Sequence, residues 1–209
     1  MRNTAISKEV QNALTPESVL VDLLEGNARY TNNNVSSSEI TELVKQTTGG
    51  QFPKAVILSC IDSRVPVEMV FDQTIGDVFV ARVAGNFENT DILGSMEYSC
   101  AVAGSKLVFV LGHESCGAVK AACDGVQLGN ITAMLDNIIP AAKLSAEQVA
   151  GVTDSSNSEF VAKTVENNVK LTMDRIRQKS AILKDMENKG EIKIVGGVYS
   201  LTTGKVTML

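Results

Sequence analysis

The chain has no tryptophan, a single histidine among its 209 residues, and only 4% aromatic side chains. Its core must therefore be built from aliphatic side chains and methionine, and a hydrophobic content of 44% is ordinary for a globular protein with such a core. A basic stripe is also missing, and the net charge is −5. Nucleic acid is therefore not expected as a partner.

Long apolar segments are absent as well. No run reaches the roughly 18 residues that a membrane-spanning helix needs, so no membrane partner is expected. The N-terminus lacks the apolar stretch of a secretion signal. A cytoplasmic location is the default expectation, and a periplasmic location stays open if a signal peptide has been removed.

Four cysteines are present: Cys60, Cys100, Cys116 and Cys123. They could pair as disulfides, but two of them flank a histidine and an Asp/Arg pair in the manner of metal ligands. Cys100 and Cys123 are interpreted as small buried hydrophobic residues. A reducing compartment is therefore the expectation.

Four continuous apolar runs predict strands that are covered on both faces, at residues 55–58, 78–80, 107–111 and 192–199. Helical patterns fall at 39–46, 91–103, 118–123, 130–144 and 158–188, and Thr15-Pro16-Glu17 is typical of a helix start. Alternating strands and helices predict an α/β fold with a mostly parallel sheet of about four strands, flanked by helices. A turn at Thr202-Thr203-Gly204 predicts an antiparallel edge strand over 205–209.

The single histidine lies in the segment His113-Glu114-Ser115-Cys116-Gly117, and Cys60 ends the first apolar run. Cys60, His113 and Cys116 form a three-ligand set that suits one Zn²⁺ ion, because thiolate and imidazole are the ligands zinc prefers. Three protein ligands leave one position for water, as in catalytic zinc sites. Sites in α/β sheets form beyond the carboxyl ends of strands, where Cys60 and His113 are both predicted to lie.

Asp62 and Arg64 follow Cys60 closely. They could form only an exposed loop salt bridge, which would contribute little. In a functional interpretation, Arg64 keeps the Asp62 carboxylate ionised and orients it through paired N–H bonds. A fixed carboxylate next to a zinc-bound water would accept that water's hydrogen bond and align the hydroxide.

These residues resemble the β-class carbonic anhydrases, and the likeness covers about residues 15–125. The motifs that carry it are Cys60-x-Asp62-x-Arg64, Gly112-His113-x-x-Cys116-Gly117-Ala118, Gln51-x-Pro53, Gly76-Asp77-x-Phe79, Arg82-Val83-Ala84-Gly85-Asn86, Ser95-x-Glu97-Tyr98 and Leu24-x-Gly26-Asn27-x-Arg29-Tyr30. The resemblance implies one domain over 1–209, with an N-terminal helical arm (1–50), a zinc-site core (51–125), and C-terminal helices and edge strands (126–209).

The resemblance also implies an activity, the reversible hydration of carbon dioxide to bicarbonate and a proton by zinc-bound hydroxide. It assigns the zinc to Cys60, His113 and Cys116, and the catalytic dyad to Asp62 and Arg64. The implied assembly is a homodimer or homotetramer.

The substrate cleft of the family forms between subunits, and Gln51, Phe79, Tyr98 and Gly117 match positions that line it. Phe79 and Tyr98 could instead be ordinary core residues, and Gly117 could simply permit a tight turn. Ile57 stands where members that close their site at low pH have tryptophan, although Val65-Pro66 matches that subgroup. The open form is therefore predicted, with Asp62 on Arg64 and not on zinc.

Two alternatives stay open. A hydrolase acting on carbon disulfide or carbonyl sulfide would share the ligands and the dyad. A non-enzymatic module would use the zinc structurally or sense redox state through its thiols, and a fourth protein ligand would favour it.

Overall fold

A computed structural model describes residues 4–209, so the first three residues of the predicted arm lie outside it. The helices are α1 (Lys8–Ala13), α2 (Pro16–Thr31), α3 (Ile40–Thr47), α4 (Val67–Val70), α5 (Thr90–Glu97), α6 (Gly117–Cys123), α7 (Gly129–Leu135), α8 (Ile139–Ala146), α9 (Ser158–Lys179) and α10 (Ala181–Asn188). The strands are β1 (Ala55–Ser59), β2 (Val78–Arg82), β3 (Leu107–His113), β4 (Lys193–Tyr199) and β5 (Val206–Met208). Within the described part of the chain, no helix is long and apolar enough to cross a membrane.

The five strands form one sheet in the order β2-β1-β3-β4-β5. The first four strands pair in parallel, and β5 pairs antiparallel with β4. The predicted α/β fold, with its parallel strands and antiparallel C-terminal edge strand, is confirmed. Because β1 lies between β2 and β3, the chain reverses its winding direction at the β1/β3 boundary.

The central strands β1 and β3 are buried along their whole length, as their continuous apolar sequence predicts. One face of the sheet packs on the side of α2 and α4, where Leu23, Phe71 and Phe109 meet. The other face packs against α9 and α10, through Val169 and Leu183. The sheet is thus the middle layer between helices, and its carboxyl edge stays available for a site.

The helix predictions are confirmed in place but not in length. Thr15 caps α2 as predicted, and it forms a reciprocal capping box with Ser18. The predicted helix 158–188 is two helices, because the Ser180 side chain caps α10 and the backbone bends there. The predicted helix 130–144 divides before Pro140, and 91–103 ends in a π-helical turn over Tyr98–Val102.

Two helices were not predicted. The first, α1, is held to the body by the buried side chain of Gln11, which donates to the carbonyls of Pro53 and Ala103. The second, α4, is a single turn that follows Pro66. Cys100 is buried as predicted, whereas Cys123 is only half-buried.

Candidate metal centre

The site lies where two neighbouring strands end. Cys60 directly follows β1, and His113 is the last residue of β3. These strands pair side by side, with Ser59 opposite Leu111. The change in winding direction between them opens a crevice at the carboxyl edge, which is where parallel sheets bind ligands.

The three predicted ligands converge in the structure. The Sγ atoms of Cys60 and Cys116 are 3.9 Å apart, and all three ligand atoms lie within 4.8 Å of one another. Two sulfurs that are each about 2.3 Å from a tetrahedral zinc ion would be about 3.8 Å apart. The spacing of the thiols therefore fits zinc.

His113 is oriented for coordination. Its Nδ1–H donates to the carbonyl of Glu114 at 2.8 Å, which leaves the lone pair on Nε2. Nε2 is buried and has no hydrogen-bond partner. A buried polar atom without a partner is costly, and a metal ion facing the two thiols would satisfy it.

Cys116 is brought back to His113 by a tight turn at Ser115, which has a left-handed φ of 52°. Cys116 then occupies the N-cap position of α6, without a capping hydrogen bond from its side chain. The suggestion that Gly117 is needed for the turn is wrong, because its φ is not positive and an added Cβ would meet nothing within 4 Å. Its predicted contact with substrate stays a prediction.

The two thiols titrate as a pair. The Cys116 thiol donates to Cys60, and this bond lowers the pKa of Cys60 against the effect of burial. The Cys60 thiolate in turn raises the pKa of Cys116, which burial raises further. The pair therefore loses its first proton easily and keeps its second, until a cation takes the place of that second proton.

Asp62 and Arg64 form the predicted pair at the mouth of the site. The Asp62 carboxylate accepts three hydrogen bonds from Arg64, from the backbone N–H at 2.9 Å, Nε at 3.0 Å and Nη2 at 2.7 Å. The Arg64 side chain lowers the pKa of Asp62 to about 2, against the desolvation of the carboxyl group. Asp62 Oδ2 lies 3.8 Å from His113 Nε2, next to the ligands.

Arg82, at the end of β2, was assigned no role from the sequence. Its guanidinium donates to the carbonyls of Cys60 at 2.8 Å, Asp62 at 2.7 Å and Val65 at 3.1 Å. It thereby holds the loop that carries the first ligand and the Asp/Arg pair. The available signal was its place in the motif Arg82-Val83-Ala84-Gly85-Asn86.

Gly85 was also missed. Its backbone N–H lies 3.4 Å from the Cys60 sulfur, within a buried part of the site. Its φ of +82° is in the left-handed region, which glycine reaches without strain. An N–H donor of this kind stabilises the thiolate form of Cys60.

Gln51, Phe79 and Tyr98 do not reach the candidate metal ligands of the same chain. Phe79 pairs with Val56 in the sheet, so it lies about 13 Å along the strand direction before Cys60. Gln51 precedes β1 and is separated from Cys60 by the length of that strand, roughly 17 Å. These residues therefore belong to a different surface of the subunit.

That surface contains a cavity of about 770 Å³ next to β2 and α5. Phe79 and Tyr98 both line it, with ring centroids 6.3 Å apart. Tyr98 is 57% exposed, so the alternative that it is a helix-core aromatic is wrong for the single chain. Phe79 is only partly buried, and it packs against the core cluster on the α9 side of the sheet.

Comparison with known proteins connects this geometry to an enzyme family. The family model described as "Carbonic anhydrase" matches residues 55–206. Carbonic anhydrase 2 of Mycobacterium tuberculosis is 33% identical over 192 residues, which cover 89% of each chain. The Coccomyxa β-carbonic anhydrase, solved in complex with acetazolamide, superposes with a TM-score of 0.72 at 26% identity and covers 91% of this chain and 86% of its own. A β-carbonic anhydrase of Sordaria macrospora, described as tetrameric, shares the fold with a TM-score of 0.71 at 24% identity, over 88% of this chain and 90% of its own.

Proposed function

This chain belongs to the β-carbonic anhydrase family and is a carbonic anhydrase, and from that premise we propose that Cys60, His113 and Cys116 hold one Zn²⁺ ion in each subunit. The observation that carries the proposal is the buried, unpartnered Nε2 of His113 facing two thiols. When bound, the ion would lower the pKa of a coordinated water and supply hydroxide near neutral pH, as is known for carbonic anhydrases with three histidine ligands. The reaction is the reversible hydration of carbon dioxide to bicarbonate and a proton.

Asp62 orients the nucleophile. Because Arg64 holds its pKa at about 2, the carboxylate is ionised at neutral pH and can only accept a hydrogen bond. A nucleophile that donates a hydrogen bond to Asp62 keeps a lone pair directed elsewhere, toward the substrate. The bidentate Arg64 contact supports the open form, in which Asp62 stays on Arg64 and leaves the fourth metal position free.

A second copy of the chain completes the cleft. β2 is the outer strand of the sheet, and its residues are partly exposed in spite of the apolar sequence Val-Phe-Val-Ala. Unprotected edges of this kind pair with other chains. In a homodimer or homotetramer, Gln51, Phe79 and Tyr98 of one subunit would face the metal ligands of its partner. Within one chain these residues are too far from the ligands to do so.

The cleft residues have separate roles in this assembly. Phe79 forms an apolar wall for carbon dioxide. Gln51 and Tyr98 donate to bicarbonate oxygens, and the chain at Gly117 leaves room for the anion. Since the only histidine is taken up as a metal ligand, the product proton leaves through water and external buffer.

The experiment compares zinc content and stopped-flow hydration of carbon dioxide in the wild type, Asp62→Ala and Asp154→Ala. Asp154 is a matched control, because it accepts from the backbone N–H two residues ahead, as Asp62 does, but lies on the loop before α9 and makes no contact with Arg64 or the candidate ligands. We expect Asp62→Ala to keep one zinc per subunit and to lose about 100- to 1,000-fold in kcat, the range seen when a stabilising hydrogen-bond partner is removed. Asp154→Ala should match the wild type.

Three outcomes would contradict the proposal. Absence of zinc in the purified protein would remove the metal site, and full activity in Asp62→Ala would remove the role of the carboxylate. Turnover of carbonyl sulfide or carbon disulfide by a preparation that does not hydrate carbon dioxide would favour the related hydrolase. A structural metal site would require a fourth ligand, whereas the cluster found among residues 4–209 contains three.

A further inference from the structure

The Cys60 sulfur accepts a backbone hydrogen bond that the mechanism above does not use. Gly85 donates its N–H to this sulfur at 3.4 Å, in a buried setting. A hydrogen bond to a metal thiolate withdraws charge from the sulfur and tunes the metal that it binds. The position of the Gly85 N–H group therefore affects the metal site directly.

The loop that contains Gly85 is held by one face of α9. Asn168 donates from Nδ2 to the Gly85 carbonyl at 2.8 Å. Three residues after Gly85, the buried carboxylate of Glu88 accepts hydrogen bonds from Arg175 Nε at 2.9 Å and Lys179 Nζ at 2.8 Å. Helix α9 thus holds the loop at Gly85 and at Glu88. Of these two contacts, the one made by Asn168 with Gly85 is next to the metal ligand Cys60.

Packing alone does not explain an asparagine at this position. Asn168 is 1% exposed, and its Oδ1 has no hydrogen-bond partner. A buried amide oxygen without a partner destabilises the fold, so an apolar side chain of similar size would serve packing better. The polar side chain is explained by what its Nδ2 group does for Gly85.

We propose that Asn168 is a positioning residue for the metal thiolate. By binding the Gly85 carbonyl it keeps Gly85 in place, so that the N–H of the same residue stays against Cys60 and limits how much charge that sulfur gives to the metal. The inference rests on the proposed metal site. Helix α9 supplies no metal ligand, but in this proposal it controls how much charge the Cys60 sulfur donates to the metal.

The neighbouring residue Asn167 provides a matched control. It is 3% exposed on the same helix, and its Nδ2 donates to Ser145 Oγ at 2.8 Å and Gln148 Oε1 at 2.9 Å, away from the loop. Replacing Asn167 removes a buried amide of the same kind. It leaves Gly85 and Cys60 untouched.

The experiment uses the full chain with Co²⁺ in place of zinc, because the sulfur-to-cobalt charge-transfer absorption in the near ultraviolet reports on the thiolates. The variants are Asn168→Leu, which keeps the number and branching of the side-chain heavy atoms, Asn168→Ala, and Asn167→Leu and Asn167→Ala as controls. We expect both Asn168 variants to move the band to lower energy and to weaken zinc affinity about 10- to 100-fold in chelator competition. The Asn167 variants should keep the wild-type band and affinity.

An unchanged band and affinity in the Asn168 variants would overturn the proposal, and so would an equal change in the Asn167 variants, which would indicate a general effect of loosening α9. If Asn168→Leu does not fold, Asn168→Ala decides by the same two readouts. Failure of the proposed function is distinguishable, because the wild type itself would then show no thiolate charge-transfer band.

Discussion

Gly85→Ala tests how tightly the loop beside Cys60 is determined. Gly85 has a left-handed φ of +82°, and a Cβ built on it would lie 2.3 Å from Ile138 Cδ1 and 3.4 Å from Ala118 Cβ. Ile138 is fully buried, so it has little room to move away. Alanine at this position therefore introduces both backbone strain and a steric clash.

The two effects can be estimated separately. An L-residue in the left-handed region costs about 1–2 kcal/mol. Overpacking a filled core costs about 1–3 kcal/mol. Gly85→Ala should therefore lower the free energy of unfolding by roughly 2–5 kcal/mol. Gly125→Ala measures the first effect alone, because Gly125 has a φ of +63° and its added Cβ would meet nothing within 4 Å.

Ile138→Val removes the atom that the new methyl group would meet. Alone it should cost about 0.5–1.5 kcal/mol, but in the Gly85→Ala background it should relieve the clash. The double-mutant cycle should therefore give a coupling of at least about 1 kcal/mol, well above the roughly 0.5 kcal/mol seen for independent sites.

The assay is urea unfolding followed by far-ultraviolet circular dichroism, since the chain has no tryptophan to report by fluorescence. Protein concentration is kept fixed, because assembly of subunits would make stability depend on it. The reasoning is refuted if Gly85→Ala and Gly125→Ala lose equal stability, or if the effects of Gly85→Ala and Ile138→Val simply add.

Three further predictions concern the site and its support. Arg82→Lys should lower kcat about 10- to 100-fold with little change in Tm, because one ammonium cannot hold all three carbonyls of the loop that carries Asp62; unchanged stopped-flow rates would reject this role. Burial opposes ionisation of Asp72, but Arg29 and hydrogen bonds from Ser36 outweigh it and hold its pKa below the usual value. That carboxylate stabilises the fold above its unfolded pKa, near 3.9, and the contribution is lost as pH falls through its lower folded pKa. Asp72→Asn should therefore be less stable than the wild type at pH 7, with the difference shrinking in acid denaturation as the pH falls below about 4 and disappearing below the folded pKa of Asp72. Finally, turnover should rise steeply with buffer concentration at fixed pH, and a flat response would show that an internal proton route exists.

The fold was predictable because its central strands are buried on both faces. Residues 55–58 and 107–111 are continuous apolar runs, and the structure covers them with helices on each side. The divisions of the long helices were not predictable to the same degree. Ser180 caps α10 through its hydroxyl. Serine is favoured at such positions but also occurs inside helices, so a single serine in a long helical pattern gives no clear stop signal.

The strand β2 shows a different limit of sequence reasoning. Its apolar run predicts a covered strand, yet in the single chain it lies at the sheet edge and is partly exposed. Hydrophobicity indicates that a surface is removed from water, but it does not indicate which chain removes it. Phe79 and Tyr98 illustrate this limit. They lie near each other in one chain, but the candidate metal ligands that they are proposed to serve belong to a second copy of the chain.

The candidate metal ligands Cys60, His113 and Cys116 could be proposed from sequence, because their own side chains carry the chemistry and lie at or just after the ends of strands. Arg82 and Asn168 could not, because each acts on a backbone carbonyl, and every residue has one. Asn167 and Asn168 are adjacent and identical in type, and only the rotation of α9 decides which one faces Gly85. Side chains that hold a site through backbone groups can therefore be identified only when the fold is known. Here the fold decides that Asn168, and not Asn167, supports the residue whose N–H binds the Cys60 sulfur.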